Sequence, residues 1–305
     1  MNWYIATLEV KGVLKTPLVS DTLWGHIAWS IALNRGEEAL RDFIAQYDAT
    51  PPLLCSHAFP EGFLPMPKLR GEIPAVDPSK FKKLLKLSFI PAEMLAKPCG
   101  WQQIIDAFQA QQFPEISMQS VNRIRNSINR ETSTVQEGLL WAERGYVWEK
   151  RNPDDETEIM RITRFNIYCQ SVWSIAEFQA MLNSALAFGY GGKAGVGYGN
   201  IKVISIMPYN APETGNRMML LGAVAEKPSK LPGLRSNVTV RRGKLGPQMA
   251  LELQNPFKKP IALFDAGSTC DMLANAFAGT VIRNVHTDQR IVSMGMAPLM
   301  AFTEI

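Results

Sequence analysis

The chain has 305 residues, of which 46% are hydrophobic and 20% are charged, and this composition excludes a disordered chain. Its 32 basic and 28 acidic side chains leave a formal net charge of +4, so local basic patches would have to bind any anionic partner. No apolar run approaches the roughly 18 residues that span a bilayer, and the start of the chain lacks the basic residues of a signal peptide. We therefore expect a cytoplasmic protein of about two domains that has no membrane partner.

The four cysteines are too far apart in the sequence to form a metal-ligand motif: Cys55, Cys99, Cys169 and Cys270. A disulfide framework is not expected in so long a chain with so few cysteines. The sequence therefore predicts reduced, buried thiols, no metal site and no cofactor.

The first 60 residues predict a strand, a broken helix and a second strand. Residues 3–10 are rich in β-formers, and Ser20 is a good N-cap for a helix whose apolar residues recur every three or four positions. Gly36 breaks that pattern before a second short helix over 37–47. Residues 52–59 predict the next strand.

The middle of the chain predicts an irregular basic segment followed by a hairpin. Residues 68–117 carry a surplus of lysine and arginine without a clear period. Residues 139–150 and 157–169 are strand-like and flank Asn152-Pro153-Asp154-Asp155, so we expect a long β-hairpin with this polar tip.

A capping box at Ser174 and Glu177 predicts a helix that ends at Gly189, and a strand over 201–207 follows. The resulting order is strand, helix, strand, strand, helix, strand, which is that of a ferredoxin-like α+β domain. After a linker over 208–217, the rest of the chain predicts further strands and a helix near 271–277.

The glycine-rich stretch over 189–199 is the most specific feature of the sequence. Its Gly-x-Gly-x-x-Ala start matches a dinucleotide-binding fingerprint, but a helix enters and a strand leaves, which is the reverse of that motif. Successive glycine amides can still bind a phosphate chain. The alternative is a simple flexible turn, but so many glycines would then lose conformational entropy on folding without a functional reason. The candidate residues here are Gly191, Gly192, Lys193, Gly195, Gly197 and Tyr198, with Lys193 adding charge and Tyr198 a stacking face.

Two basic segments are further candidates for an anionic partner. Residues 122–130 contain three arginines, three asparagines and no acid, and arginine binds phosphate as a bidentate fork. Residues 226–259 carry eight lysines and arginines against two glutamates. Each could instead be solvated surface. The candidate residues are Arg123, Arg125, Asn126, Asn129, Arg130, Arg241 and Arg242.

The sequence gives weak grounds for an enzyme. The three histidines are His26, His57 and His286, and none stands in a Ser-His-Asp order or in a metalloprotease motif. His26 lies in an apolar helix, where a core position is expected. We therefore expect no catalytic residues.

Several motifs, in this order, resemble the RAMP superfamily of CRISPR-associated proteins. They are Ser20-Asp21-Thr22-Leu23-Trp24-Gly25, Pro51–Ser56 running into Ala58-Phe59-Pro60, Leu64–Lys68, Arg125–Arg130, Gly191–Gly199, Phe264–Ser268, Gly279 and Ser293-Met294-Gly295. The chain is most similar to the family of subunit four of the type III-A (Csm) effector complex. The chain departs from the family pattern in two places. In the glycine loop, Ala194 and Val196 stand where basic or hydroxyl residues are common. The residues before Ser20 lack a His-Phe-Gly-like start.

The resemblance implies two ferredoxin-like (RRM-like) domains with a protruding β-hairpin called the thumb. The domains would be 1–207, with an insertion at about 68–170, and 218–305. It also implies a non-catalytic subunit for antiviral defence that caps the repeat-derived 5′ handle of the CRISPR RNA. Ser20 joins the RNA-binding set on this ground. The implied protein partners are the large polymerase-type subunit and the backbone RAMP subunit.

Two other functions stay open from the sequence. One is a metal-independent CRISPR repeat endoribonuclease of the same superfamily with His26 as general base, and this needs a second polar group at the scissile phosphate. The other is a nucleotide-using enzyme built around the glycine stretch, which the helix-to-strand order disfavours.

Overall fold

The structure is a computed structural model that describes residues 1–74, 76–110, 114–152, 157–253 and 255–305. It is a mixed α+β fold, as predicted. The helices are α1 (Ser20–Ala45), α2 (Pro78–Leu84), α3 (Ala92–Leu95), α4 (Trp101–Gln109), α5 (Ile175–Leu186) and α6 (Pro247–Glu252). The strands are β1 (Asn2–Val10), β2 (Leu53–Cys55), β3 (Phe59–Pro60), β4 (Phe63–Pro65), β5 (Phe89–Pro91), β6 (Glu115–Asn129), β7 (Thr134–Arg151), β8 (Ile159–Ile162), β9 (Arg164–Ser171), β10 (Ile201–Pro208), β11 (Arg217–Leu220), β12 (Val238–Arg241), β13 (Ile261–Phe264), β14 (Thr269–Asp271), β15 (Phe277–Ile282) and β16 (Ser293–Phe302).

The first sheet has the antiparallel order β10-β1-β9-β2, with β3 also paired to β9. Helix α1 follows β1 and helix α5 follows β9, which gives the predicted strand–helix–strand order twice. The two helices pack against each other and share one core with the sheet. Ile27, Phe178 and Leu182 from the helices meet Ala6 and Leu8 from β1 in that core, and all five are fully buried.

Two of the three sequence signals for these helices, a glycine break and two N-caps, agree with the structure. Gly36 interrupts α1 with a φ of 88°, so the predicted break is confirmed. The capping box of α5 is also confirmed, because the Ser174 hydroxyl accepts from the Glu177 amide and the Glu177 carboxylate accepts from the Ser174 amide. The prediction that Ser20 caps α1 is wrong. Val19 is the N-cap, and Ser20 is the first helical residue, without a side-chain cap.

The prediction that residues 68–117 are irregular is wrong. This segment contains α2, α3, α4 and β5. Leu84, Leu95 and Ile104 from these elements are buried in a second core, which Met300 and Phe302 of β16 complete. The elements are short, so no apolar period extends far enough to stand out among the many surface lysines.

The longest hairpin is formed by β6 and β7, which pair from Glu115–Arg151 outward to Asn129–Thr134. The predicted hairpin between 139–150 and 157–169 exists only as four pairs between β7 and β8. Its predicted tip at Pro153-Asp154-Asp155 lies outside the described residues. Strand β6 escaped prediction because polar residues occupy both of its faces, so the sequence lacks the apolar alternation of a half-buried strand.

The second sheet has the order β14-β11-β16-β15. All ten residues of β16 are buried, because this strand lies inside the sheet and also packs against α1. The helix predicted near 271–277 is wrong: β14 ends at Asp271, and β15, paired with β16, begins at Phe277. Within the described part of 218–305, the one α-helix is the six-residue α6, so a second βαββαβ pattern is not seen there.

The two sheets are joined by shared core and by a buried polar junction. Val281, Met294 and Met296 of the second sheet are part of the core of the first. At the junction the Ser20 amide donates to Nδ1 of His57 at 3.0 Å, so the His57 proton lies on Nε2, which donates to Asp265 at 2.8 Å. The proposed division into 1–207 and 218–305 stays a prediction.

All four cysteines are buried and free, and Cys55 and Cys169 lie opposite each other on β2 and β9 with their sulfur atoms 3.6 Å apart. The described residues contain no group of three or more His, Cys, Asp or Glu side chains placed to hold a metal ion. Within the same ranges, no helix has the length and apolar character needed to cross a membrane.

We expect Asp265→Ala to destabilise the fold more than Asp48→Ala, although both aspartates link the two parts of the chain. Asp265 bonds the buried His57, whereas Asp48 forms an exposed ion pair with Arg283. The expected losses in the free energy of unfolding are about 1–2 kcal/mol and below about 0.5 kcal/mol, as measured by urea denaturation at pH 7.

Urea denaturation at acidic pH tests whether the ionised form of Asp265 supplies this stability. Burial raises the pKa of Asp265, but the His57 hydrogen bond and nearby positive charges outweigh it, so its pKa lies below the ordinary value. The contribution of Asp265 is therefore complete above the ordinary aspartate pKa of about 3.9 and is lost as the pH falls through the lower folded value. Equal losses for the two variants at pH 7 would contradict the assignment.

Candidate nucleic-acid interface

The β6–β7 hairpin lies against the glycine loop, residues 189–199, and brings two of the predicted segments together. The Arg125 guanidinium donates to the Val196 carbonyl at 3.2 Å, and the Arg123 guanidinium lies 5.1 Å from the centre of the Tyr198 ring. Lys193 forms an ion pair with Glu143 of β7 at 3.0 Å. The arginines of the hairpin and the lysine of the loop therefore form one cationic surface.

The glycine loop needs its glycines chiefly for its own conformation. Gly199 has a φ of 66°, and a Cβ atom added there would lie 2.0 Å from the Tyr190 carbonyl oxygen. At Gly191, with a φ of 72°, an added Cβ atom would lie 2.6 Å from Thr16. Such approaches exclude any side chain, so these glycines fix the path of the loop.

Several predicted phosphate-binding amides are already used within the chain. The Gly191 amide donates to Nε2 of His26 at 2.9 Å, and the Gly192 amide donates to the Thr16 hydroxyl at 3.0 Å. The Gly197 amide donates to the Ala194 carbonyl at 3.1 Å.

Three successive amides in the same loop differ from these, because they are not used within the chain. Among the described residues, the N–H groups of Lys193, Ala194 and Gly195 have no hydrogen-bond partner. Lys193 has a left-handed φ of 62°, and a short 3₁₀ turn starts at Ala194, so the three amides lie at the start of this turn. Such an arrangement binds anions. Ala194 was missed from the sequence because its side chain carries no signal.

Tyr198 does not offer the predicted stacking face. It is buried with Val13 and Val147, and its hydroxyl has no partner among the described residues. Its ring supports Arg123 from below instead. Tyr198 thus fixes the cationic surface without being part of it.

The end of the hairpin holds the remaining predicted residues of segment 122–130. Asn129 shapes the turn, because its side-chain carbonyl oxygen accepts from the amides of Glu131 and Thr132. Asn126 and Arg130 are exposed, and the structure shows no partner for the Arg130 side chain in its described part. Arg130 is therefore free to meet an anion.

No hydrogen bond or ion pair joins Ser20, Arg241 or Arg242 to Arg123, Arg125 or Lys193 in the described part of the chain. Ser20 is 2% exposed, and its hydroxyl accepts from the Ala223 amide at the junction of the two sheets. Arg242 packs on the Phe257 ring at 5.1 Å. Arg241 ends β12, and its charge is among those that lower the pKa of Asp265. The structure thus does not unite the second basic segment with the hairpin.

His26 contacts the glycine loop through its ring and its Nε2 atom. Its ring stacks on Tyr190 with 5.2 Å between the centres, and Nε2 already accepts from the Gly191 amide. Burial lowers the pKa of His26, so the ring is neutral and keeps its lone pair for that hydrogen bond. The sequence pattern could not reveal this bond, because the partners are 165 residues apart.

A cavity of about 720 Å³ adjoins the other side of the glycine loop. It lies between the end of α5 and strand β10. Its polar lining includes Lys11, Asn183, Asn200 and Lys202, and Phe188 at its edge is 84% exposed. Cationic and amide groups therefore flank the loop on this side as well.

Comparison with known proteins finds similarity in structure only. No protein-family model matches the chain. No curated protein matches it either. A chain in the structure of the Csm3-Csm4 subcomplex of the type III-A CRISPR-Cas interference complex is 12% identical, with a TM-score of 0.55 and 99% of both chains covered.

Two structures of the Csm1-Csm4 cassette also contain similar chains. The one with pppApA gives 16% identity and a TM-score of 0.51, and the one with AMPPNP gives 17% and 0.50, each covering 98% of both chains. Csm4 is the subunit common to all three structures. The resemblance stated from the sequence is therefore confirmed at the level of the fold.

We expect Gly199→Ala and Gly195→Ala to differ sharply in stability. An alanine at 199 would combine a left-handed φ with a clash against the Tyr190 backbone, whereas nothing lies within 4 Å of a Cβ atom at 195. The thermal unfolding midpoint should fall by several degrees in the first variant, for a loss of about 2–3 kcal/mol, and stay within about one degree in the second. Equal midpoints would show that the loop does not have the described conformation.

Proposed function

We propose that this chain is a non-catalytic, RNA-binding subunit of a type III CRISPR interference complex. It holds the repeat-derived 5′ handle of the CRISPR RNA and joins the large polymerase-type subunit to a backbone RAMP subunit. The observation that carries the proposal is the meeting of Arg123, Arg125 and Lys193 beside three unpartnered amides. This is the chemistry that binds a phosphate chain without reading its bases.

The fold supports the same proposal. We assign the first sheet with α1 and α5 to the ferredoxin-like RAMP domain and the β6–β7 hairpin to the thumb, on the strand order of the sheet and the length of the hairpin. The solved structures with similar chains pair Csm4 with Csm1 in one case and with Csm3 in the other. A subunit with two such partners is suited to connect them at one end of the complex.

The cationic surface has the geometry that a phosphate contact needs. The side chains of Arg125 and Lys193 are 37% and 54% exposed, so each keeps donors that face solvent. Backbone amides at 193–195 supply further donors that no side-chain substitution would remove. We therefore propose that one RNA phosphate is bound between the hairpin and the glycine loop, and that Arg130 binds another near the hairpin end.

The competing function is a metal-independent repeat endoribonuclease. A general base must have a free lone pair within reach of the proton that it removes. The Nε2 lone pair of His26 is bound to the Gly191 amide, and the Nδ1 lone pair of His57 is bound to the Ser20 amide. This use of both histidines supports a non-enzymatic subunit.

We expect the tagged chain, expressed with its natural partner subunits, to retain CRISPR RNA that begins with repeat-derived sequence. Sequencing of the retained RNA is the measurement. Arg125→Ala and Arg130→Ala should each lower RNA affinity, and the slope of log K against log salt should become shallower by about 0.7–1 per lost contact. Arg41→Ala is the control, since this exposed arginine of α1 pairs with Glu37 outside the surface. RNA without repeat sequence, or equal slopes in all three variants, would overturn the proposal.

We expect the purified chain to leave repeat RNA intact in the presence of a metal chelator. His26→Ala should also leave the RNA intact. It should weaken RNA binding, because the glycine loop loses the hydrogen bond from the Gly191 amide to His26. Gel analysis and filter binding measure the two effects. A cleavage product that disappears in His26→Ala would establish the endoribonuclease instead.

A further inference from the structure

Glu143 lies at the centre of the cationic surface and contacts two of its cations. One carboxylate oxygen is 3.0 Å from Nζ of Lys193, and the other is 3.5 Å from Nε of Arg125. The Glu143 side chain is only 12% exposed, whereas those of Arg125 and Lys193 are 37% and 54% exposed. The carboxylate therefore lies behind the cations as seen from solvent.

This carboxylate is ionised and not fully satisfied. The hydrogen bond with Lys193 lowers the pKa of Glu143, an effect that outweighs its partial burial, and the charge of Arg125 adds to the lowering. The oxygen near Arg125 has only that 3.5 Å ion pair and a weak contribution from the neighbouring Trp141 side chain. One negative charge thus offsets one of the two positive charges that face an incoming phosphate.

Carboxylate and phosphate compete for the same donors. Both accept charge-assisted hydrogen bonds from lysine and arginine, and a phosphate that draws Lys193 outward must lengthen the pair with Glu143. Glu143 also repels the phosphate directly at short range. Any anion on this surface therefore displaces part of an existing contact.

We propose that Glu143 is an internal competitor that holds Lys193 and Arg125 when RNA is absent and lowers the affinity of the surface for RNA phosphate. This inference rests on the proposed RNA-binding function. It assigns Glu143 the role of a positioning residue that sets binding strength, since the carboxylate itself does not contact RNA. The Lys193–Glu143 ion pair also ties the glycine loop to the hairpin, so bound phosphate also loosens that link.

The test compares the full chain with Glu143→Gln, using labelled single-stranded RNA of mixed sequence as the probe. The glutamine side chain is similar in size to glutamate and can still accept from Lys193, so only the charge is lost. We expect affinity to rise about threefold at moderate salt. The salt dependence should become steeper, because one more cation is available to phosphate.

Two controls separate the local effect from net charge. Glu137→Gln removes the same charge from an exposed position on the same strand, and it should change affinity far less. In a chain that already carries Lys193→Gln and Arg125→Gln, the gain from Glu143→Gln should disappear. Such non-additivity is expected only if the three side chains act together.

The possible failures are distinguishable. If the unmodified chain binds RNA and Glu143→Gln binds equally or more weakly at unchanged stability, the inference is overturned and the proposed function stands. Equal gains from Glu137→Gln and Glu143→Gln also overturn it, because net charge then explains the effect. If neither the unmodified chain nor Glu143→Gln binds RNA, the proposed function fails, and the inference fails with it.

Discussion

The candidate site depends on the hydrogen bond that joins the Gly191 amide to His26. This bond, together with the one from Gly192 to Thr16, attaches the glycine loop to the first helix and to the segment before it. Because the loop is fixed at its start, the left-handed Lys193 and the short turn after it hold residues 193–195 at the surface. The hairpin can then pack on the loop, and the cations of both segments meet at one place. A half-buried histidine whose pKa is lowered by desolvation is suited to this task, because the lower pKa disfavours protonation of that lone pair.

The side chains of the cationic surface lie over a tyrosine and a carboxylate. Tyr198 is buried under Arg123, Glu143 lies behind Lys193 and Arg125, and the accessible layer is cationic. A largely covered acid beside more exposed bases holds their long side chains in place, and it also limits the net field. Positioning and affinity are therefore opposed within one group of residues.

Patterns over short sequence distances predicted the first sheet well. The capping box at Ser174, the break at Gly36 and the strand–helix–strand order all depend on residues a few positions apart. Tertiary contacts decided the rest. Polar residues interrupt both faces of β6, which pairs with β7 through main-chain bonds. Residues 272–276 form a connection between Asp271, which pairs with β11, and Phe277, which pairs with β16, despite their helix-forming composition. Glu143 carries no local signal at all, since its partner Lys193 is far away in the sequence.

The buried thiols give the molecule built-in reporters of its own opening. Cys55 and Cys169 lie in the core of the first sheet, Cys99 in the core of the inserted segment and Cys270 in that of the second sheet. Burial raises the pKa of Cys99 and of Cys270 to about 11 and that of Cys169 well above its usual range, so these three thiols are protonated, and burial keeps alkylating reagents from all four. Each core therefore reacts only when it unfolds locally or with the whole chain. The order in which the sulfur atoms are modified would reveal whether the two sheets and the insertion open as one cooperative unit or in sequence.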